Sequence, residues 1–439
     1  VAVKYGRKMG CQMSNLFMDR SLASGALLFS QAAIFLFLIQ CLLDSRRFRQ
    51  NIPVLSAVKP PLPPHPTPPL NVGVVVPARD EEKRIAACLR SLAASVGLTR
   101  LRIIAVDDRS RDSTQTRMRE VAADHGPLIT VVPLRELPPA WLGKTHACWT
   151  GARILQMEES APEYLLFTDA DVIFHERALF EAALLMKREN LDFLTLFPKA
   201  EFHGRWEGAF LAFFALSLNF FTQPWRLTQP NGLNHIGIGA FLMVRTDRYF
   251  ELGGHEKLRL TVAEDLKMGL LFRMAGARLM AATGHDRVRV RWQDGFWASL
   301  RGMVKNGFAG HDYSVVFLLG ALLFQSAVFL GPALALLTGA FIPTPWGPLL
   351  LALGALNSAF LYYSYRITCG LLQYPSVLAW GAAPLMMLSY LAAMSTSAVR
   401  AFTTGGISWR DSFYPLQDLK KGNYGFWRAW RQRKKPAPP

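Results

Sequence analysis

Cysteine is scarce and unpaired. The five in this 439-residue chain are Cys11, Cys41, Cys88, Cys148 and Cys369. None forms a C-x-x-C or other paired spacing, which excludes a zinc ribbon and a disulfide framework and fits a reducing cytoplasm. No G-x-x-x-x-G-K-[ST] run occurs, which excludes a P-loop. No internal repeat occurs, which excludes a solenoid or propeller. Acidic residues are also in deficit: 32 Asp and Glu face 49 Lys and Arg, for a formal charge of +17. Where so few acids cluster, the clusters are informative.

The apolar content is high at 51%, and mean hydropathy is +0.17. The excess is concentrated. Leu22 to Leu43, Val315 to Ile342, Gly347 to Tyr365 and Val377 to Val399 are nearly uncharged and of membrane-spanning length. They predict a multi-pass protein of the inner cell membrane with one N-terminal and about three C-terminal spans. Leu22–Leu43 is too long for a signal-peptide core and lacks a clear cleavage site. The positive charge crowds the edges of these stretches: Arg46, Arg47 and Arg49, then Lys420, Lys421, Arg428, Arg431, Arg433, Lys434 and Lys435 interleaved with Trp427 and Trp430. That placement points to anionic lipid at a membrane surface rather than to nucleic acid; a solvated tail is the bland alternative. Three C-terminal spans after a cytoplasmic catalytic domain put the basic tail outside, against the positive-inside rule. One stretch is therefore expected to be re-entrant or interfacial, and Val377–Val399, interrupted by Pro384, is the candidate.

Along the chain, residues 1–50 read as a tail and anchor. Pro53–Pro69 (domain bounds 51–70) reads as a stiff proline-rich linker. Strand-like Asn71–Val76 begins an alternation with helix-like Glu81–Ser95, strand-like Leu101–Val106, helix-like Asp112–Asp124, strand-like Ile129–Val132, helix-like Lys144–Met157 and strand-like Tyr164–Thr168. Such alternation predicts an α/β fold, a mostly parallel, Rossmann-like sheet covered by helices, over residues 71–312. Gly208–Phe221 is apolar almost all round and predicts a membrane-proximal or core helix. Gly295–Gly310 sets Trp297 and Phe308 against Arg301 and Lys305, the pattern of a helix lying at a bilayer surface. Residues 313–400 form the C-terminal membrane region and 401–439 a basic tail.

Three acidic clusters follow in order: Asp107-Asp108, Asp169-Ala170-Asp171 and Glu264-Asp265. The first two end apolar strands, and ligands of open α/β sheets bind beyond the carboxyl ends of strands. Asp169 and Asp171 are spaced to meet one hard divalent cation, Mg²⁺ or Mn²⁺, together with substrate phosphates.

The runs Val74-Val75-Val76-Pro77-Ala78-Arg79-Asp80-Glu81-Glu82, Val106-Asp107-Asp108-Arg109-Ser110, Asp169-Ala170-Asp171 and Gly253-Gly254-His255 with Glu264-Asp265 resemble, in order, the motifs of family 2 glycosyltransferases, over about residues 71–310. The resemblance implies an A-type glycosyltransferase fold and inverting transfer from a nucleotide-sugar, a UDP-sugar foremost. It assigns Pro77, Ala78, Glu81, Asp107, Asp108, Lys144 and Asp169 to the donor, and Asp171 with Asp169 to the metal. Asp265 becomes the general base, with Glu264 orienting it. Gly254, His255, His235, Arg291, Trp292 and Trp297 fall on the acceptor side. Single residues keep blander readings: Lys144 as a surface lysine, His235 as a structural histidine, Glu264-Asp265 as a helix-start pair. Arg291-Trp292 is either a diverged Q-x-x-R-W, with Val288 at the Gln position, or the end of a strand. Trp409–Pro415 resembles a post-membrane motif of the same relatives. Tethering to the bilayer favours a lipid acceptor, as in ceramide, carotenoid-type and hopanoid-associated members. A processive polysaccharide synthase and a non-catalytic membrane scaffold are the alternatives.

Overall fold

The computed structural model of the chain describes residues 25–41, 43–44, 52–58, 69–342, 346–409 and 412–433. Arg46, Arg47, Arg49, most of the proline run, Arg410, Asp411, Lys434 and Lys435 lie outside the described residues. The chain forms two compact units. A helical unit takes the N-terminal helix, Gly208–Ser217 and Val316–Ala392; a sheet unit takes Arg47–Glu207, Leu218–Val315 and Ala393–Pro439. The first described helix, α1 (Gly25–Cys41), belongs to the helical unit.

The sheet unit runs β1 (Asn71–Ala78), α2 (Ile85–Ala93), β2 (Arg100–Asp108), α3 (Thr114–His125), β3 (Ile129–Leu134), α4 (Gly143–Gln156), β4 (Tyr164–Phe167), β5 (Val172–Phe174), α5 (Ala178–Arg188), β6 (Phe193–Phe197) and β7 (Lys199–Ala200). After α6 (Arg205–Thr222) come β8 (Leu242–Arg245), α7 (Thr246–Glu251), α8 (Gly254–Lys257), α9 (Glu264–Met274), β9 (Leu279–Thr283), β10 (Val288–Val290) and α10 (Phe296–Gly310). The seven-stranded sheet has the order β3-β2-β1-β4-β8-β6-β9. β8 pairs antiparallel with β4 and β6, and the other neighbours pair parallel. The mostly parallel sheet expected from sequence thus carries one reversed strand.

The strands are apolar on both faces because both faces are covered. Val74, Val76, Ile103, Ala105 and Leu166 pack with α2 and α5. Val75, Ile104, Val106, Leu165 and Phe167 pack with α4 and α9. Each such side chain contributes on the order of 1.5–3 kcal/mol by leaving water. In register, Ala78 lies opposite Asp107 and Val75 opposite Phe167. The carboxyl ends of β1, β2 and β4 therefore meet at one edge. A small sheet, β5-β10-β7, borders it.

Four features depart from the sequence expectations or decide between them. First, the start of the proline-rich segment is folded: Val54 bridges Thr283, and Leu55 is fully buried beside α5. Second, the centre of α6 belongs to the helical unit, where Ala209, Phe210, Ala212 and Phe213 are buried and Phe213 packs on Phe329 and Tyr390. It is a core helix.

Third, the apolar stretches do not break where expected. The helical unit continues with α11 (Val315–Phe329), α12 (Gly331–Gly339), α13 (Trp346–Leu372) and α14 (Ser376–Thr403) as far as Ala392, the rest of α14 counting with the sheet unit. α14 is continuous through Pro384. The break instead lies between α11 and α12, which bend by 53°. Among the described residues, α14 is the one helix long and apolar enough by itself to cross a membrane, and α11 with α12 reaches that length only as a bent pair. Asn357 Nδ2 donates to both the backbone O and Oε1 of Gln31 at 3.0 Å, tying α1 to α13.

Fourth, the basic tail is a folded part of the sheet unit, with hairpin β11–β12 (Gly406–Trp409, Ser412–Pro415), α15 (Leu416–Gly422) and α16 (Phe426–Arg433). Tyr424 and Ala429 are buried in the same cluster as α9. Asp312 accepts from Asn423 Nδ2 at 3.0 Å and from Phe426 N at 2.9 Å, and pairs with Lys267 Nζ of α9 at 2.6 Å. Trp430 packs on that cluster while Trp427 stays exposed.

Candidate active site

Two loops at the sheet edge build the floor. Asp80 and Arg109 both take left-handed backbone (φ 56° and 58°), a conformation few non-glycine residues adopt unless the surroundings hold it. Polar side chains do so here. Arg111 N donates to Asp80 Oδ1 at 2.8 Å, Ser113 N to Glu82 Oε2 at 3.1 Å, and Glu81 N to Thr114 Oγ1 at 2.7 Å. This cross-lacing explains the density of Asp, Glu, Ser and Thr in both runs. Asp107 is buried and accepts from Ser110 N at 3.2 Å. Asp108 Oδ1 accepts from Arg109 Nε at 2.8 Å, and Arg79 lies 3.8 Å from Oδ2.

Gly143 opens α4 directly against Asp108. A Cβ on Gly143 would lie 2.0 Å from Asp108 Oδ2, so only glycine permits this approach.

Next to that helix start, Lys144 Nζ bridges Asp169 Oδ1 and Glu264 Oε1, each at 2.6 Å. Burial works against its charge, but Asp169, Glu264 and Asp265 outweigh burial and raise its pKa well above the ordinary lysine value. Asp169 N donates to Gly239 O at 3.1 Å, and Gly239 N donates to Asp265 Oδ2 at 2.9 Å. Asp265 Oδ1 accepts from Leu266 N at 2.7 Å. Burial, first of all, pushes both acids of this pair up, Glu264 to about 7, with Lys144 opposing the rise in each.

Asp171 is also pushed up to about 7, by burial and then by Asp169 and Glu81, with Arg84 opposing at 3.5 Å. Among the described residues no group of three or more His, Cys, Asp and Glu could hold a metal ion alone. The donor set nonetheless fits a hard cation: two carboxylates separated by one residue, Asp171 with only the more distant Arg84 beside it, and the remaining positions left to phosphate oxygens and water.

Pro77, Ala78, Glu81, Asp108, Lys144, Asp169, Asp171, Glu264 and Trp292 line one cleft of about 290 Å³. Asp107, Asp265, Gly254, His255, His235, Arg291 and Trp297 are not among its lining residues. His255 is buried, with Nδ1 2.8 Å from Tyr249 Oη and its ring against Phe167. Burial and then Lys144 push its pKa down to about 3, so it stays neutral. Gly254 (φ +43°) lets Tyr249 lie where a Cβ would stand 2.3 Å from the ring. His235 is partly buried and stacks on Phe426 of α16. Arg291 Nε pairs with Asp294 at 2.8 Å. Trp297 is 69% exposed at the start of α10. Phe308, expected on the same stripe, is buried: its N–H donates to Ser397 Oγ at 2.9 Å and its ring meets Phe402.

The cleft also takes Arg79, Gln293, Lys305 and Tyr414, which sequence reasoning had not placed there. Signals existed for three of them, Arg79 lying inside the run Val74–Glu82. Gln293 directly follows Arg291-Trp292, and Tyr414 sits in the post-membrane run Trp409–Pro415. Lys305 lies in α10, where the sequence pattern alone points to a bilayer surface.

Residues 73–249 match the family described as Glycosyl transferase family 2. This segment is a family 2 glycosyl transferase domain. Among curated proteins, the chain is similar to 4,4'-diaponeurosporenoate glycosyltransferase of Staphylococcus haemolyticus (strain JCSC1435). That match is 24% identical over 239 residues, 54% of this chain and 60% of the relative. The same-named protein of Staphylococcus aureus (strain MRSA252) is 25% identical over 236 residues, 53% of this chain and 60% of the relative. The chain thus spans 60% of the length of these relatives. Among solved structures, a mannosyltransferase from Pyrobaculum calidifontis, in complex with GDP-Man and Mn²⁺, superposes with a TM-score of 0.51 at 18% identity, covering 86% of this chain and 99% of that one. At that identity the likeness concerns the fold, an A-type glycosyltransferase fold.

Proposed function

We propose that the protein is a membrane-bound inverting glycosyltransferase that moves a sugar from a nucleotide-sugar donor to a lipid hydroxyl. The observation carrying this reading is the cleft itself: Asp108, Asp169, Asp171 and Glu264 converge with Lys144 at the carboxyl ends of β1, β2 and β4. Glu81 and Asp108 are placed to accept from nucleobase and ribose donors, a charge-assisted contact. Asp169 and Asp171 would hold a divalent cation, Mg²⁺ or Mn²⁺, which when bound supplies charge neutralisation for the departing diphosphate. Lys144 adds a fixed positive charge at a helix start, where phosphate is favoured.

Transfer is one displacement. The acceptor oxygen forms a bond to the anomeric carbon, the bond from that carbon to the phosphate oxygen breaks, and the nucleoside diphosphate leaves with the electron pair. The hydroxyl proton passes to Asp265. Asp265 is favoured over Glu264 because Glu264 already pairs with Lys144 at 2.6 Å. Asp265 is held only through backbone N–H groups from Gly239 and Leu266, which leaves a lone pair on each oxygen.

The curated relatives are named for 4,4'-diaponeurosporenoate, which supports an apolar acceptor. The apolar helices, the basic charge and the unpaired cysteines support a multi-pass protein of the inner membrane, its catalytic domain cytoplasmic and near anionic lipid. The test is transfer from labelled UDP- and GDP-sugars in membranes carrying the protein. The label should enter a product extractable into organic solvent, lose that fate in EDTA, and regain it with Mn²⁺ or Mg²⁺. Asp171→Asn should abolish incorporation. Label appearing only in water-soluble polymer would overturn the lipid reading, and full activity in excess chelator would overturn the metal.

A further inference from the structure

Arg84 stands between Asp171, which lines the cleft, and Asp294, which directly follows the lining residues Trp292 and Gln293. It precedes the first turn of α2, and its side chain is one-third exposed, so it is free to re-aim. Its NH1 lies 3.5 Å from Asp171 Oδ2. Its NH2 lies 3.0 and 2.9 Å from the two oxygens of Asp294. Charge-assisted hydrogen bonds of full strength are about 2.7–2.9 Å long. Arg84 therefore makes its close contact with Asp294 and only a stretched one with Asp171. Asp294 in turn holds Arg291 Nε at 2.8 Å. Between Arg291 and Asp294 sit Trp292 and Gln293, both lining the cleft. The guanidinium that stands nearest Asp171 is thus the same one that fastens the Trp292-Gln293 wall through Asp294.

We propose that Arg84 is a positioning residue that competes with the divalent cation for Asp171, and that Asp294 draws it off that carboxylate to open the cation position. This rests on the reading of Asp171 as a cation ligand. A cation held by Asp171 would repel a guanidinium that lies 3.5 Å from that carboxylate, and like charges on one carboxylate repel strongly wherever water is partly excluded. The displaced guanidinium has a ready partner in Asp294. Cation uptake and the fastening of the Trp292-Gln293 wall are then linked, because both draw on one side chain.

The competition fixes the sign of each substitution. Arg84→Gln removes the rival charge, so cation binding tightens. Asp294→Asn leaves Arg84 with Asp171 as its one strong partner, so cation binding weakens. The double variant has no rival charge to release and follows Arg84→Gln, a non-additive result expected only of groups in one network. A merely structural Arg84 would give weaker binding in both single variants.

The experiment titrates the full-length protein in detergent with Mn²⁺, alone and then with UDP or GDP present, and follows free Mn²⁺ by electron paramagnetic resonance. We expect Arg84→Gln to lower the Mn²⁺ dissociation constant about three- to tenfold, Asp294→Asn to raise it by a similar factor, and the pair to match Arg84→Gln. Unchanged or weaker binding in Arg84→Gln would overturn the competition. Absence of Mn²⁺ binding by the unaltered protein, with or without nucleotide, would instead overturn the cation reading beneath it.

Discussion

Gly143→Ala separates stability from function at this site. The glycine opens α4 with ordinary helical backbone, and alanine favours a helix by about 1 kcal/mol over glycine. The new methyl would stand 2.0 Å from Asp108 Oδ2 and 2.9 Å from its Cγ, where ordinary contact begins near 3.4 Å. Something must retreat by about 1.4 Å. The backbone of α4 is tied down by Thr145 Oγ1, which donates to Leu142 O and Arg259 O at 2.9 Å, so the carboxylate is what moves. Hydrogen bonds to a charged group contribute about 1.5–3 kcal/mol, and each 1.4 kcal/mol is about tenfold in affinity. Nucleotide affinity should fall roughly 10- to 100-fold. Thermal stability should change little, because the helix gain offsets the local clash. Isothermal titration with UDP and GDP, beside a melting curve in detergent, reads both. Unchanged affinity would refute the placement of Asp108 on the nucleotide. A large fall in melting temperature would refute the claim that the carboxylate, not the helix, gives way.

Three further outcomes follow from the geometry. Asp265→Asn should cut turnover by about 100-fold or more while nucleotide affinity holds, and Glu264→Gln should act more weakly and through Lys144; equal losses would merge the two roles. Gly254→Ala should cost about 2–3 kcal/mol of stability, since it combines a positive φ with a Cβ 2.3 Å from the Tyr249 ring; an unchanged melting curve would show that the ring has room to move. Phe308→Ala should destabilise by about 3–5 kcal/mol as a core truncation, whereas exposed Trp297→Gln should spare stability and reduce transfer to lipid more than donor hydrolysis; equal loss of both rates would remove Trp297 from the lipid path.

The order of strands and acids was legible because it obeys local rules. Apolar runs ending in Asp107-Asp108 and Asp169 announce strand ends, and the sheet brings those ends to one edge. What the sequence hid were pairings across long separations. Nothing local says that Tyr414 shares a cleft with Glu81, or that Asp312 holds Asn423. Amphipathic pattern also misassigned Phe308, because a stripe facing Ser397 and Phe402 of its own unit has the same periodicity as one facing lipid. The same ambiguity hid the core setting of Phe210 and Phe213. Gly254-His255 is legible in the sequence only as a resemblance to a motif, and its packing around Tyr249 depends on a positive φ that composition does not reveal.

The folded tail sets a timetable for the protein's own synthesis. Residues 69–207 emerge from the ribosome early and contain every strand end that faces the cleft. Tyr414, which lines it, and Tyr424, which is buried beside α9, emerge more than two hundred residues later, after α11 to α14 have been made. The nascent chain therefore carries an acid-lined cleft with one wall missing for as long as those helices take to appear. The cleft lining is complete only once the apolar helices have been made and the hairpin that carries Tyr414 has followed them.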